Sequence, residues 1–98
     1  MNLKNNIHRP NVSVVSGTYN RSRLVCEMVR AAYNQTTRPD EIVVSDDCSP
    51  DDSIATLREL QHEIPILRVI ENDTNSGGVP NWNKAIEFSS GEIIAWCT

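Results

Sequence analysis

Ninety-eight residues, 39% of them hydrophobic and 22% charged, suit a single globular domain with a small core, and no apolar run approaches the length that a bilayer-spanning helix demands. A net charge of −4 and a pI near 5.0, with no Lys/Arg cluster to release counterions from phosphates, argue against a nucleic-acid partner and for a small ligand. The cysteines, Cys26, Cys48 and Cys97, are odd in number and far apart, which excludes a CxxC site and fits reduced, packed thiols.

Residues 1–10 lack the apolar core of a secretory signal and read as a polar leader, so the default expectation is a cytoplasmic location, extending to the inner membrane face. Val12-Ser13-Val14-Val15 predicts a first strand, and Ser16-Gly17-Thr18-Tyr19-Asn20 its exit loop. From Ser22 the period becomes helical, with Leu24, Val25, Met28, Val29 and Ala32 on one face and Asn20 or Ser22 as the cap; the helix should end between Asn34 and Thr37, ahead of Pro39.

Ile42-Val43-Val44-Ser45 is too continuously apolar for an edge strand and predicts a central one, running into the paired acids Asp46 and Asp47. Ser49-Pro50-Asp51-Asp52 predicts a helix start, with Ser49 as N-cap, Pro50 at N1 and the acids beside the positive end of the dipole. Ile54, Leu57, Leu60 and Gln61 form its inner stripe, and Ile64-Pro65 stops it.

Ile66 to Ile70 reads as a third strand, and Glu71 to Gly78 as a long polar loop. Pro80 then opens a third helix with Trp82, Ala85, Ile86 and Ser89 at core spacing, Lys84 on the wet side and Gly91 as the residue that ends it. Glu92 to Cys97 is a fourth strand. The order β-α-β-α-β-α-β, with a helix in every connection, implies an α/β fold of three layers, α/β/α, with a mainly parallel sheet and right-handed crossovers.

Two acids at the carboxyl end of a central strand stand where open α/β sheets bind ligands. A dinucleotide-binding turn would need several glycines after the first strand, and only Gly17 is there. A P-loop would need a Gly-Lys-Ser/Thr that Ser16 to Asn20 lacks. A phosphoacceptor domain would carry its acid pair after the first strand, whereas this pair follows the second.

Val12 to Asn20, Asn34-Gln35-Thr36, Pro39 to Asp52, Asn75-Ser76-Gly77-Gly78 and Gly91 to Ile94, in that order, resemble the amino-terminal half of family 2 glycosyltransferases of the GT-A fold, over about residues 11–98. The resemblance implies a Rossmann-like, nucleotide-sugar-binding part of an inverting glycosyltransferase that moves a sugar from a nucleoside-diphosphate donor to an acceptor hydroxyl. It implies that Gly17 and Thr18 approach the nucleotide, that Tyr19 lies near the base, and that Asp47 accepts a hydrogen bond from it, with a UDP-sugar favoured. Asp46 either joins that site or caps the loop after its strand. Trp82 stands where many members carry arginine and reads as core; Gly17 stands where proline is usual.

The family's Mg²⁺- or Mn²⁺-binding acids and its catalytic base are expected beyond Thr98, so no catalytic or metal residue is assigned within the chain. The expectation is a domain truncated on its carboxyl side, with Ile94 and Trp96 on an unpaired edge that invites self-association. The acceptor is an unspecified saccharide or lipid-linked molecule. The competing expectation is a non-catalytic nucleotide-binding or protein-interaction module.

Overall fold

The computed structural model describes residues 11–91 and 93–96, the last four by their backbone alone. The elements run β1 (Val12–Thr18), α1 (Ser22–Tyr33), β2 (Glu41–Asp46), α2 (Ser53–Glu63), β3 (Leu67–Glu71), α3 (Gly78–Phe88) and β4 (Ile93–Trp96). Every strand pair is parallel, and the sheet order is β3-β2-β1-β4. The expected α/β order and parallel sheet are both present. The leader, His8, Cys97 and the side chains of Ile94 and Trp96 lie outside the described residues.

β2 is buried along its whole length, as its unbroken apolar run requires. Alternation sends Ile42 and Val44 to one face, where they pack with Val25, Val29, Leu57 and Leu60 from α1 and α2. Val43 faces the other way, into a smaller cluster with Val15 and with Ala85 of α3. α1 and α2 therefore cover one face and α3 the opposite one, giving the α/β/α layers.

The boundaries differ from expectation for local reasons. β1 continues to Thr18, because its partner β2 runs on to Asp46 and the two pair residue by residue from Ser13↔Glu41 to Thr18↔Asp46. α1 is capped by neither Asn20 nor Ser22: Asn20 turns the chain at φ 53°, the left-handed region asparagine tolerates, and Arg21 is the N-cap without a side-chain bond. The buried face is Val25, Cys26, Val29 and Ala32, and Leu24 points outward with 59% of its surface exposed.

α2 begins at Ser53, later than the Ser49-Pro50 signal suggested. The chain must first reverse after β2, which it does through Cys48 at φ 62°. Asp51 then accepts hydrogen bonds from the Ser53 amide and hydroxyl, so its role is structural as expected. Pro80 falls inside the first turn of α3, whose N-cap is Gly77. Gly91 does not end α3: the C-cap is Ser89, and a Cβ on Gly91 would lie 2.3 Å from Ser13 Oγ, so close approach to β1 is what demands glycine there.

Cys26 is buried and Cys48 exposed, both as free thiols; burial pushes the Cys26 thiol above its ordinary value and so keeps it unreactive. The expectation of packing therefore holds for Cys26 and not for Cys48. Among the described residues no helix is long and apolar enough to cross a membrane.

Candidate functional site

The carboxyl ends of β1 and β2 and the start of α3 surround an open cavity of about 350 Å³. β1 and its exit supply Gly17, Thr18 and Tyr19, and Arg21 leans in from the cap of α1. Asp47 comes from the residue after β2. Asn75, Gly77 and Gly78 arrive on the β3–α3 loop and the first turn of α3, and Asn81 and Trp82 on the helix itself.

Asp47 holds the cavity together. Its main-chain N–H donates to the Thr18 carbonyl at 3.0 Å, extending the strand pairing by one more bond. Its Oδ1 accepts from Asn72 Nδ2 at 3.0 Å and from the Ser76 amide and hydroxyl, each at 2.8 Å; its Oδ2 accepts from the Gly77 amide at 2.9 Å. A carboxylate just past the end of β2 thus arrests a loop that glycine and asparagine would otherwise leave loose, and sits at the positive end of α3. Burial opposes ionisation, but the bonds from the Ser76 main chain, Asn72, the Ser76 hydroxyl and the Gly77 main chain outweigh it, so Asp47 titrates below its ordinary value.

Behind Asp47 lies a buried polar network. Asn72 Nδ2 also donates to Asn81 Oδ1 at 2.8 Å, while Asn72 Oδ1 accepts from Lys84 Nζ at 2.9 Å. Asn81 in turn accepts from Ser45 Oγ at 2.6 Å and returns a bond from Nδ2 to the Ser45 carbonyl at 2.9 Å. Lys84 has only donors to offer, so it fixes which way round the Asn72 amide stands and leaves Nδ2 for Asp47. The wet-side expectation for Lys84 is corrected by this contact.

Asp46 is completely buried and does not line the cavity. Its carboxylate accepts from the Ser49 amide at 2.9 Å and from the Ser49 hydroxyl at 2.6 Å. The same hydroxyl accepts the Asn20 amide at 2.8 Å, so Asp46 braces the loop that carries Tyr19 from below. Of the expected site residues, Gly17, Thr18, Tyr19 and Asp47 meet around one cavity, and Asp46 stands behind it.

Tyr19 is 46% exposed and lines the cavity. Trp82, expected in the core, is only half-buried and belongs to the cavity wall. Asn72 and Asn81 were not singled out from sequence. A polar residue one turn before Ala85 on the inner stripe of α3 was the available signal for Asn81, whereas nothing in the loop sequence marked Asn72.

Among the described residues no group of three or more His, Cys, Asp or Glu side chains is placed to hold a metal ion. Asp47, the one acid among the described cavity residues, already spends most of its acceptor capacity on N–H and O–H donors, so the cavity as built does not fit a cation.

The lowered Asp47 and Glu41 carboxyls make stability depend on pH. A group with a folded value below its unfolded one stabilises fully above the unfolded value of about 4 and loses that contribution as pH falls through the folded value. Urea midpoints should therefore stay level from pH 7 to about 5 and fall steadily below about 4. In Asp47→Asn the fall should be shallower; an identical acid limb in that variant would show that Asp47 is not among the groups responsible.

A family model described as glycosyl transferase family 2 matches residues 13–98. GalNAc(5)-diNAcBac-PP-undecaprenol beta-1,3-glucosyltransferase of Campylobacter jejuni is 33% identical over 89 residues, covering 89% of this chain and 28% of the relative. Mannosyltransferase PcManGT from Pyrobaculum calidifontis, solved with GDP-Man and Mn²⁺, superposes with a TM-score of 0.79 at 30% identity over 89% of this chain and 26% of that one. S. aureus TarS with UDP-GlcNAc gives a TM-score of 0.77 at 30% identity over 88% of this chain and 25% of that one. The chain spans less than a third of the length of each of these proteins. With the family's match running from β1 to the end of the chain, on a parallel sheet that superposes on solved GT-A enzymes, this chain belongs to glycosyl transferase family 2.

Proposed function

We propose that the chain supplies the donor-nucleotide site of an inverting glycosyltransferase. The observation that carries this is Asp47: an ionised, immobilised carboxylate in the same cavity as the exposed Tyr19 ring. An ionised carboxylate only accepts, so it favours a base with a ring N–H on its pairing edge, uracil or guanine, over cytosine and adenine, which place a bare ring nitrogen there and offer only an exocyclic amine.

The bonds already made to Asp47 favour uracil. A carboxylate offers about four acceptor directions. Three donors crowd the two directions of Oδ1, while a single donor occupies Oδ2, whose second direction stays open to one further N–H. Uracil presents one; guanine presents two side by side. TarS was solved with UDP-GlcNAc and PcManGT with GDP-Man, so the family accommodates both bases, and the count on Asp47 supports the first. Arg21 and the positive end of α3 supply charge for a diphosphate.

In the proposed reaction the acceptor oxygen bonds to the anomeric carbon as the bond to the diphosphate oxygen breaks, with inversion. A Mg²⁺ or Mn²⁺ ion, as in the PcManGT complex, would offset charge on the leaving diphosphate. We place its ligands and the base that deprotonates the acceptor in the part of the relatives' length that this chain does not span. The PP-undecaprenol in the name of the C. jejuni relative supports a saccharide or lipid-linked acceptor. β4, hydrogen-bonded only to β1 within the described sheet, is the proposed route of self-association.

Thermal melts of the full chain with UDP, GDP, dTDP and CDP test the donor site. A ligand at one hundred times its Kd stabilises by about 2.7 kcal/mol, so UDP should raise Tm by several degrees and CDP should not. No shift with any nucleotide would overturn the proposal.

A further inference from the structure

The wall of the cavity formed by β1 and α3 is built on an interlock between Gly17 and Trp82. A Cβ placed on Gly17 would lie 2.2 Å from Trp82 Cδ1, 2.7 Å from Nε1 and 2.8 Å from Asn81 Nδ2. The pyrrole edge of the indole therefore rests on the bare backbone of β1, in space that any side chain at position 17 would take. The indole has not entered the core. Ala85 and Ile86, one turn further along α3, join the cluster around Val15 and Val43, while Trp82 stays half-buried on the cavity.

Its neighbours give this wall a ligand. Asn81, which shares the Gly17 contact and precedes Trp82 on α3, bonds to the same Asn72 amide that holds Asp47, so the turn that carries the indole is tied to the carboxylate on the same cavity. A large aromatic surface beside an acceptor matches a planar ring that carries an N–H. We infer that Trp82 is a specificity-determining residue that contacts the nucleobase, and that Gly17 is glycine so that the indole can occupy this place. The inference rests on the donor-site reading and deepens it, since it adds a second aromatic surface beside Tyr19.

Isothermal titration calorimetry of the full chain with UDP, and with inorganic pyrophosphate as a probe without a base, tests it. Loss of a base–aromatic stack costs about tenfold in affinity or more. Trp82→Ala should weaken UDP by roughly that factor and leave pyrophosphate unchanged, and Trp82→Phe should retain most of the UDP affinity. Gly17→Ala alone should displace the indole and also weaken UDP, whereas Gly17→Ala with Trp82→Ala should lose less than the sum of the two single losses, because the clash with the indole is gone and only the contact with Asn81 Nδ2 remains. Wild-type UDP affinity in Trp82→Ala, an equal loss of UDP and pyrophosphate, or strictly additive losses in the double variant would each overturn the inference. Should Trp82→Ala fail to melt cooperatively, Trp82→Leu takes its place with the same expected losses. A wild-type chain that binds no UDP would instead overturn the donor-site reading itself.

Discussion

Asp47→Ala should lower stability by about 3 kcal/mol and abolish the stabilising effect of UDP in the same molecule. The stability loss follows from what the carboxylate holds. The Ser76 and Gly77 amides, the Ser76 hydroxyl and Asn72 all lose an ionised acceptor at once. Charge-assisted bonds of this kind are worth about 1.5–3 kcal/mol each, but they share one loop and are not additive, and the exposed Ser76 regains water. At roughly 4–8 °C per kcal/mol for a domain of this size, the loss corresponds to a Tm lower by about 12–24 °C. Asp47→Asn keeps the shape but turns an amide NH₂ toward groups that are themselves donors, so it should recover only part of the stability and none of the preference for UDP over CDP. A stable Asp47→Ala chain that still prefers UDP would contradict both roles.

Glu41→Ala should cost about 2–3 kcal/mol and leave the affinity of the folded protein for UDP untouched. Glu41 sits at the opposite end of β2 from Asp47, roughly 20 Å away at the usual rise of a strand. Its Oε1 accepts from Ser13 Oγ at 2.6 Å and from the Ser90 amide and hydroxyl; its Oε2 meets Arg68 Nη1 at 3.0 Å. Burial opposes its ionisation, yet bonds from Ser13, the Ser90 main chain, Arg68 and the Ser90 hydroxyl bring the net value below the ordinary one. Glu41→Gln should restore most of the loss, since it keeps an acceptor for Ser13 and Ser90 and gives up only the contact with half-exposed Arg68, worth about 1 kcal/mol or less. Denaturant midpoints on the two variants, beside UDP titrations in native buffer, separate this fastening of the sheet from the site.

The fold was legible because its main signal is periodic. The apolar run at Ile42–Val44 and the helical spacing of Val25, Val29, Leu57 and Leu60 leave few arrangements other than helices on both faces of a parallel sheet. Cap positions were less legible, because they depend on where a neighbouring strand stops. Ser49 looked like an N-cap until β2 was seen to end at Asp46, which claims its hydroxyl first. The site was half legible. Tyr19 and Asp47 stood out as an aromatic and an acid at strand ends, but the partners that give Asp47 its character come from residues 25 to 30 positions away. Trp82 misled for a physical reason: helical spacing marks a face of α3, and near its amino end that face overhangs the cavity and not the core.

The reciprocal bonds between Ser45 and Asn81 have a bearing on how accurately the cavity is formed. Hydrophobic contact is indifferent to small rotations, and the Val15, Val43 and Ala85 cluster alone would let α3 roll or slide on the sheet. A side-chain amide that both gives and receives at one residue of β2 admits a single phase of the helix, since a slip of one turn, about 5.4 Å, would strand four buried polar groups at once. α3 is thus keyed to the sheet as a toothed part is, and Gly77, Gly78 and Trp82 inherit their places from that key.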